Sequence, residues 1–159
     1  AMGPALTTYT AQNMGAGRWD RVCKGNRIGA AMSVAAVGAV SLGLYFLTAP
    51  LGGLFVPVQD APEVVPQAAA FMRRMAPFFL FYALAESFSG ACCGTGDTVR
   101  PMILTLLSIC LLRVLGILLL LPRQHTMECI IDIYIASWIA AGIGFLSLWQ
   151  WEKKRVQKA

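Results

Sequence analysis

The chain has 159 residues, 57% of them hydrophobic and only 13% charged, with a mean hydropathy of +0.63. A soluble domain of this size carries nearer ~25% charge and keeps much of its surface wet, so a soluble enzyme is excluded, as is intrinsic disorder, which needs low hydrophobicity. The formal net charge of +5, from 13 basic and 8 acidic residues, is read first against membrane topology, because Lys and Arg collect in cytoplasmic loops.

Residues 1–11 are uncharged, mildly apolar and too short to cross a bilayer, and the first residue is not Met. Residues 1–17 are expected to be the end of a preceding transmembrane helix and the start of a Gly15-Ala16-Gly17 loop, in a sequence that begins within a longer protein. They lack the basic n-region of a secretory signal. A basic cytoplasmic loop is expected over 18–27. Residues 28–159 then hold four apolar runs, at about 28–47, 64–90, 101–121 and 130–151. Each is near the ~20 residues that a spanning helix needs, whereas barrel strands would be ~10 residues with strict alternation. The expected fold class is therefore an all-α integral membrane protein with four transmembrane helices. Pro77 lies inside the second run and should kink it, because it removes one helix hydrogen bond. Small residues such as Gly29, Gly38, Gly43, Gly142 and Gly144 let helix backbones approach closely in lipid.

The charges outside the runs set the orientation. Arg18, Arg21, Lys24 and Arg27 precede the first run, Arg100 separates the second from the third, and Lys153, Lys154, Arg155 and Lys158 follow the fourth. With alternating helices all of these fall on one side. The other side has only Arg123, beside Asp60, Glu63 and Glu128. The positive-inside rule then makes both ends of the segment cytoplasmic, in a multi-pass protein of the cell inner (plasma) membrane. Topology accounts for the basic excess, so no nucleic acid partner is expected. Trp149 and Trp151 suit an interfacial aromatic belt.

Charges inside the runs are the candidates for function, since a charged group at mid-bilayer is costly and faces a cavity or a partner. Glu86 is 11 residues before Asp97 and Arg113 is 12 residues after Pro101, so at ~1.5 Å per residue both lie ~16–18 Å from one turn. Two readings stay open: a structural ion pair fastening two helices, or a Glu86 that takes up a proton or cation with its charge tuned by Arg113. Tyr82, one turn from Glu86, is placed to share its face. Arg73, Arg74 and Asp132 sit at a similar outer level, where they snorkel or pair. The cysteines read as small buried hydrophobes; with one histidine, His125, they make no zinc set. Neither Gly15-Ala16-Gly17 nor Gly94-Thr95-Gly96-Asp97 completes a dinucleotide-binding motif, and both read as tight turns. No nucleophile–base pair or metal set appears in the membrane, so the chain is not read as an enzyme.

Four stretches then form a pattern. TYTAQNMGAGRWD (residues 8–20) resembles the A-Q-N-x-G-A-G stretch of the multidrug and toxic compound extrusion (MATE) family. ESFSGACCGTGDTVRPM (residues 86–102) is similar to its S-G-x-x-R-G-x-G-D-T-x-x-P-M turn, with Cys93 where arginine is usual. Arg113 is similar to the arginine often carried in the next helix, and YIASWI (residues 134–139) resembles the Y-P-x-S-W-I start of its last helix. The resemblance implies the end of helix 8 and helices 9–12 of a twelve-helix transporter built from two six-helix halves. It implies a secondary antiporter exporting amphipathic or cationic compounds in exchange for sodium ions or protons, with no other cofactor. The implied partners are those small molecules, membrane lipid and the absent N-terminal half. Glu86, Tyr82 and Arg113 become coupling-ion or substrate candidates, and Gln12, Asn13, Gly15, Gly17, Gly94, Gly96 and Asp97 carry the cytoplasmic loop motifs. The rival readings are a lipid-linked saccharide flippase of the same superfamily and a non-transporting truncated remnant or scaffold.

Overall fold

The computed structural model describes residues 2–57, 59–124 and 126–157. His125 and Lys158 lie outside the described residues. The described residues are helical apart from short connections: α1 (Met2–Gly15), α2 (Trp19–Phe55), α3 (Ala61–Met75), α4 (Phe79–Gly94), α5 (Val99–Thr105), α6 (Leu112–Gln124) and α7 (Met127–Val156). Four stretches are long and apolar enough to cross a membrane: Trp19–Thr48, Ala61–Gly94, Val99–Pro122 and Met127–Val156. These match the four runs of the sequence, each extended at its ends.

The differences lie inside and beside the spans. Residues 18–27, expected as a loop, are helical from Trp19 onward. Their charges recur at Asp20, Lys24 and Arg27, so they line exposed turns of α2 and leave the helix intact. Pro77 interrupts the second span as expected: a single 3-10 turn, Ala76–Phe78, separates α3 from α4. The third span carries a π-helical stretch, Leu106–Leu111, which no proline or glycine announces. A π turn accommodates an extra residue and so rephases the helix after it.

α4 is the centre of the bundle, with α1 and α7 as its main neighbours and α2 laid across α1, α3 and α4. The third span packs on α7 through α5, the π stretch and α6. Its apolar window is only 6% buried, so most of it faces outward. Cys110 lies there and is exposed, contrary to the buried role expected of it; Cys93 is half-buried, while Cys92 and Cys129 are buried.

Small residues set the closest approach. The Gly3 backbone passes over Gly90: a β-carbon at Gly90 would stand 2.3 Å from the Gly3 carbonyl oxygen. Thr7 Oγ1 donates to the Gly90 carbonyl at 3.0 Å, and Thr10 exchanges hydrogen bonds with Asn26 of α2, both side chains buried. In lipid such contacts replace the hydrophobic drive that joins helices in water.

The core has two parts. Near the basic end, Val22, Ala30, Ala85, Phe88, Cys92, Phe145 and Trp149 pack together. Towards the other end, Met75, Ile131 and Trp138 gather a largely aromatic surround.

Candidate functional site

Arg113 enters the bundle from α6 and meets α7. Tyr134, Ser137 and Trp138 recur at i, i+3 and i+4, the spacing that puts residues on one helix face. Arg113 Nε donates to Ser137 Oγ at 2.9 Å, and that hydroxyl donates to the Tyr134 carbonyl at 2.7 Å. The guanidinium stands 4.1 Å from the Tyr134 ring centroid and 5.8 Å from that of Trp138. The negative faces of two rings and a hydroxyl thus solvate the cation; a desolvated contact of this kind contributes ~2 kcal/mol.

Trp138 extends the cluster to α4. Its ring centroid lies 5.1 Å from Phe79 and 6.3 Å from Tyr82. Tyr82 is 43% exposed while Trp138 is buried, so Tyr82 presents the open edge of the cluster. Tyr82 and Arg113 are therefore brought together, through Trp138.

Glu86 is placed elsewhere. Its Cγ and Oε1 lie 3.1 and 3.2 Å from where a β-carbon on Gly3 would stand, so the side chain lies along the α1–α4 seam. The expected Glu86–Arg113 pair does not form among the described residues: Arg113 is engaged by Ser137, Tyr134 and Trp138 of α7, while Glu86 lies against α1. Equal depth does not give a shared face, and the second and third spans, consecutive in sequence, each make their main contacts elsewhere. α4 packs chiefly against α1 and α7, while α6 packs chiefly against α7.

At the end opposite the basic residues, where Arg73, Arg74 and Asp132 are expected to snorkel or pair, Arg74 pairs with Asp132 at 2.6 Å, with Glu128 at 3.7 Å. Arg73 donates instead to the Tyr45 carbonyl at 3.2 Å. These groups are largely exposed, which keeps their contribution near ~0–1 kcal/mol.

The two glycine motifs divide their work. Gly17 and Gly96 have φ of 69° and 93° and make the turns. Gly15 ends α1 with open space around it, while Gly94, expected in the turn, is the last residue of α4 and packs against α1. A β-carbon there would meet the Thr7 carbonyl oxygen at 2.6 Å. Asn13 Nδ2 donates to the Tyr9 carbonyl at 2.8 Å and its own carbonyl accepts from Arg18 N at 2.8 Å. The Gln12 side chain is exposed and its carbonyl accepts from Ala16 N.

Asp97 anchors the second turn in a charge cluster. Its carboxylate accepts from Arg100 N at 3.2 Å and from Arg100 Nη1 at 2.7 Å. Burial pushes the Asp97 carboxyl up, but the Arg100 backbone and side-chain bonds outweigh it and hold it below the usual carboxylate range. Arg100 and Arg155 each reach Glu152 Oε1 at 3.3 Å, and the Trp151 ring stacks 4.1 Å beneath Arg100. Glu152 is 1% exposed. Sequence reasoning passed over it because it stands among the cations of the tail. Its spacing from Arg155, three residues on, was the available signal. Tyr134, Ser137 and Trp138, the partners of Arg113, all fall within the YIASWI stretch, where their i, i+3, i+4 spacing was the available signal.

No curated protein and no solved structure matches the chain. The MatE family model matches residues 1–119, the first two spans and most of the third. With four membrane-spanning helices in the expected order, the chain belongs to the MatE (multidrug and toxic compound extrusion) family of multi-pass membrane transporters.

Proposed function

We propose that the chain works within an ion-coupled exporter of amphipathic, often cationic compounds, driven by entry of sodium ions or protons. In this reading the basic end lies in the cytoplasm, the membrane is the plasma membrane, and the six-helix N-terminal half supplies the facing wall. Glu86 carries the reading: a carboxylate within the second span is costly to keep and is used where a proton or cation is taken up. Its place on the α1–α4 seam, against Gly3, makes it sensitive to how those helices sit. Uptake of a proton or cation there would favour one arrangement of the seam over another, the differential that alternating access requires. Tyr82 offers an exposed aromatic edge for substrate. Arg113, engaged with α7, acts as a fixed structural cation in place of a partner for Glu86.

The test is reconstitution of the protein at its full natural length in vesicles with an imposed sodium or proton gradient and a fluorescent lipophilic cation. Wild type should move the cation against its gradient. Glu86→Gln should lose at least roughly tenfold in driven flux, a change of ~1.4 kcal/mol in the barrier, while still binding the cation. Wild-type driven flux in Glu86→Gln would remove the coupling role. Movement of a lipid-linked saccharide without cation transport would support the flippase reading instead.

A further inference from the structure

Between α2, α4 and α7, at the basic end of the bundle, lies a groove of 330 Å³. Ala30 and Ala31 of α2 are too small to fill the space against Leu84 and Phe88 of α4, and Trp149 closes it from α7. Its α2 wall runs from Cys23 to Val34, a rise of ~16 Å along the helix. The lining is uneven: Cys23, Arg27, Gln150 and Lys153 are its polar and charged members, and the rest are small or apolar.

The two cations are available. Among the described residues neither Arg27 nor Lys153 makes an ion pair or a side-chain hydrogen bond. Both lie within electrostatic reach of the same Cys23 thiol. Asp20 also reaches that thiol but does not line the groove, and no carboxylate does. Arg100 and Arg155 contrast with them, since both are engaged by Asp97 and Glu152.

We infer that this groove is a binding site for an anionic phospholipid, with its phosphate between Arg27 and Lys153 and the start of an acyl chain along Val34 and Leu84. Charge on one part of the lining and apolar surface on the rest match the two ends of that ligand. Basic pockets between transmembrane helices bind anionic head groups for this reason. The volume is at the lower end of the range for small-ligand sites and fits a head group with its first methylenes.

The test uses the full natural protein, delipidated in detergent and titrated with phosphatidylglycerol or phosphatidylcholine. Maleimide modification of Cys23 is read by peptide mass spectrometry, together with the thermal midpoint. Phosphatidylglycerol should protect Cys23 and raise the midpoint at concentrations where phosphatidylcholine does neither. Arg27→Gln with Lys153→Gln should weaken the protection roughly 30-fold, the equivalent of two contacts of about 1 kcal/mol. Lys24→Gln with Lys154→Gln, the same charge loss beside the groove, should leave it unchanged. If the first pair fails to fold, the charge-keeping Arg27→Lys with Lys153→Arg must retain protection. Equal protection by phosphatidylcholine, protection by inorganic phosphate alone, equal loss in the Lys24/Lys154 pair, or no protection at all would each overturn the inference.

Discussion

Gly90→Ala tests the packing that holds α4 in place. The new β-carbon would stand 2.3 Å from the Gly3 carbonyl oxygen and 2.9 Å from its carbon. Both are backbone atoms, so no rotamer change relieves the clash. Ordinary contact begins near 3.4 Å, so α1 and α4 must part by about 1 Å. Overpacking of this kind costs ~1–3 kcal/mol. The Thr7 hydrogen bond to the Gly90 carbonyl, 3.0 Å long, would stretch with it, a further ~0.5–1.5 kcal/mol. Alanine returns up to ~1 kcal/mol of helix propensity. The net expectation is a loss of ~1–3 kcal/mol. The assay is equilibrium unfolding of the purified protein in mixed micelles, with Gly43→Ala alongside. Gly43 has nothing within 4 Å, so there the propensity gain stands alone and the variant should be neutral or slightly stabilised. If Gly90→Ala is as stable as wild type, or the two variants lose equally, the close seam between α1 and α4 is refuted.

Glu152→Gln should cost at most ~1 kcal/mol, because burial and the neighbouring Asp97 make the Glu152 charge itself costly in the fold, and the arginines, 46% and 55% exposed, recover part of their hydration; thermal unfolding reads it, and a loss well above that would show that the charge on Glu152 is what fastens the turn to α7. Asp97 is held below its ordinary range in the fold, so its contribution should be present above the ordinary value, ~3.9, and be lost as pH falls through the lower folded value. Acid unfolding of Asp97→Asn should be less steep over that window, and a curve parallel to wild type would contradict it. Cysteines placed at Gly96 and Lys154 should label from the cytoplasmic side and those at Asp60 and Glu128 from the other; labelling of positions 60 and 96 from one side would end the four-span topology.

The spans were legible because length and apolarity are properties of a run, and a bilayer imposes both on any helix that crosses it. Pro77 was legible for a local reason too: its missing donor acts where it stands. The shared outer level of Arg74 and Asp132 was legible from depth, but the choice between pairing and snorkelling was not, since long side chains at the rim search a wide area. Depth failed for Glu86 and Arg113 because inside the bundle the face decides, and the face depends on what packs between. α7 is the common neighbour of α4 and the third span, and it arrives last in the chain. The π stretch at 106–111 compounds this, since no residue there forbids an ordinary helix and every position after it is turned. Arg113 accordingly satisfies its charge on Tyr134, Ser137 and Trp138, a set whose i, i+3, i+4 spacing was visible but whose cation was expected to seek a carboxylate. Two rings and a hydroxyl suffice in a low-dielectric site, where the attraction between a cation and a quadrupole is little screened. That leaves Glu86 on a different seam from the arginine, between α1 and α4, whose close approach depends on Gly90 and Gly94. On the proposed coupling reading, a proton or ion bound at Glu86 would act directly on that seam, with no charge relay through Arg113.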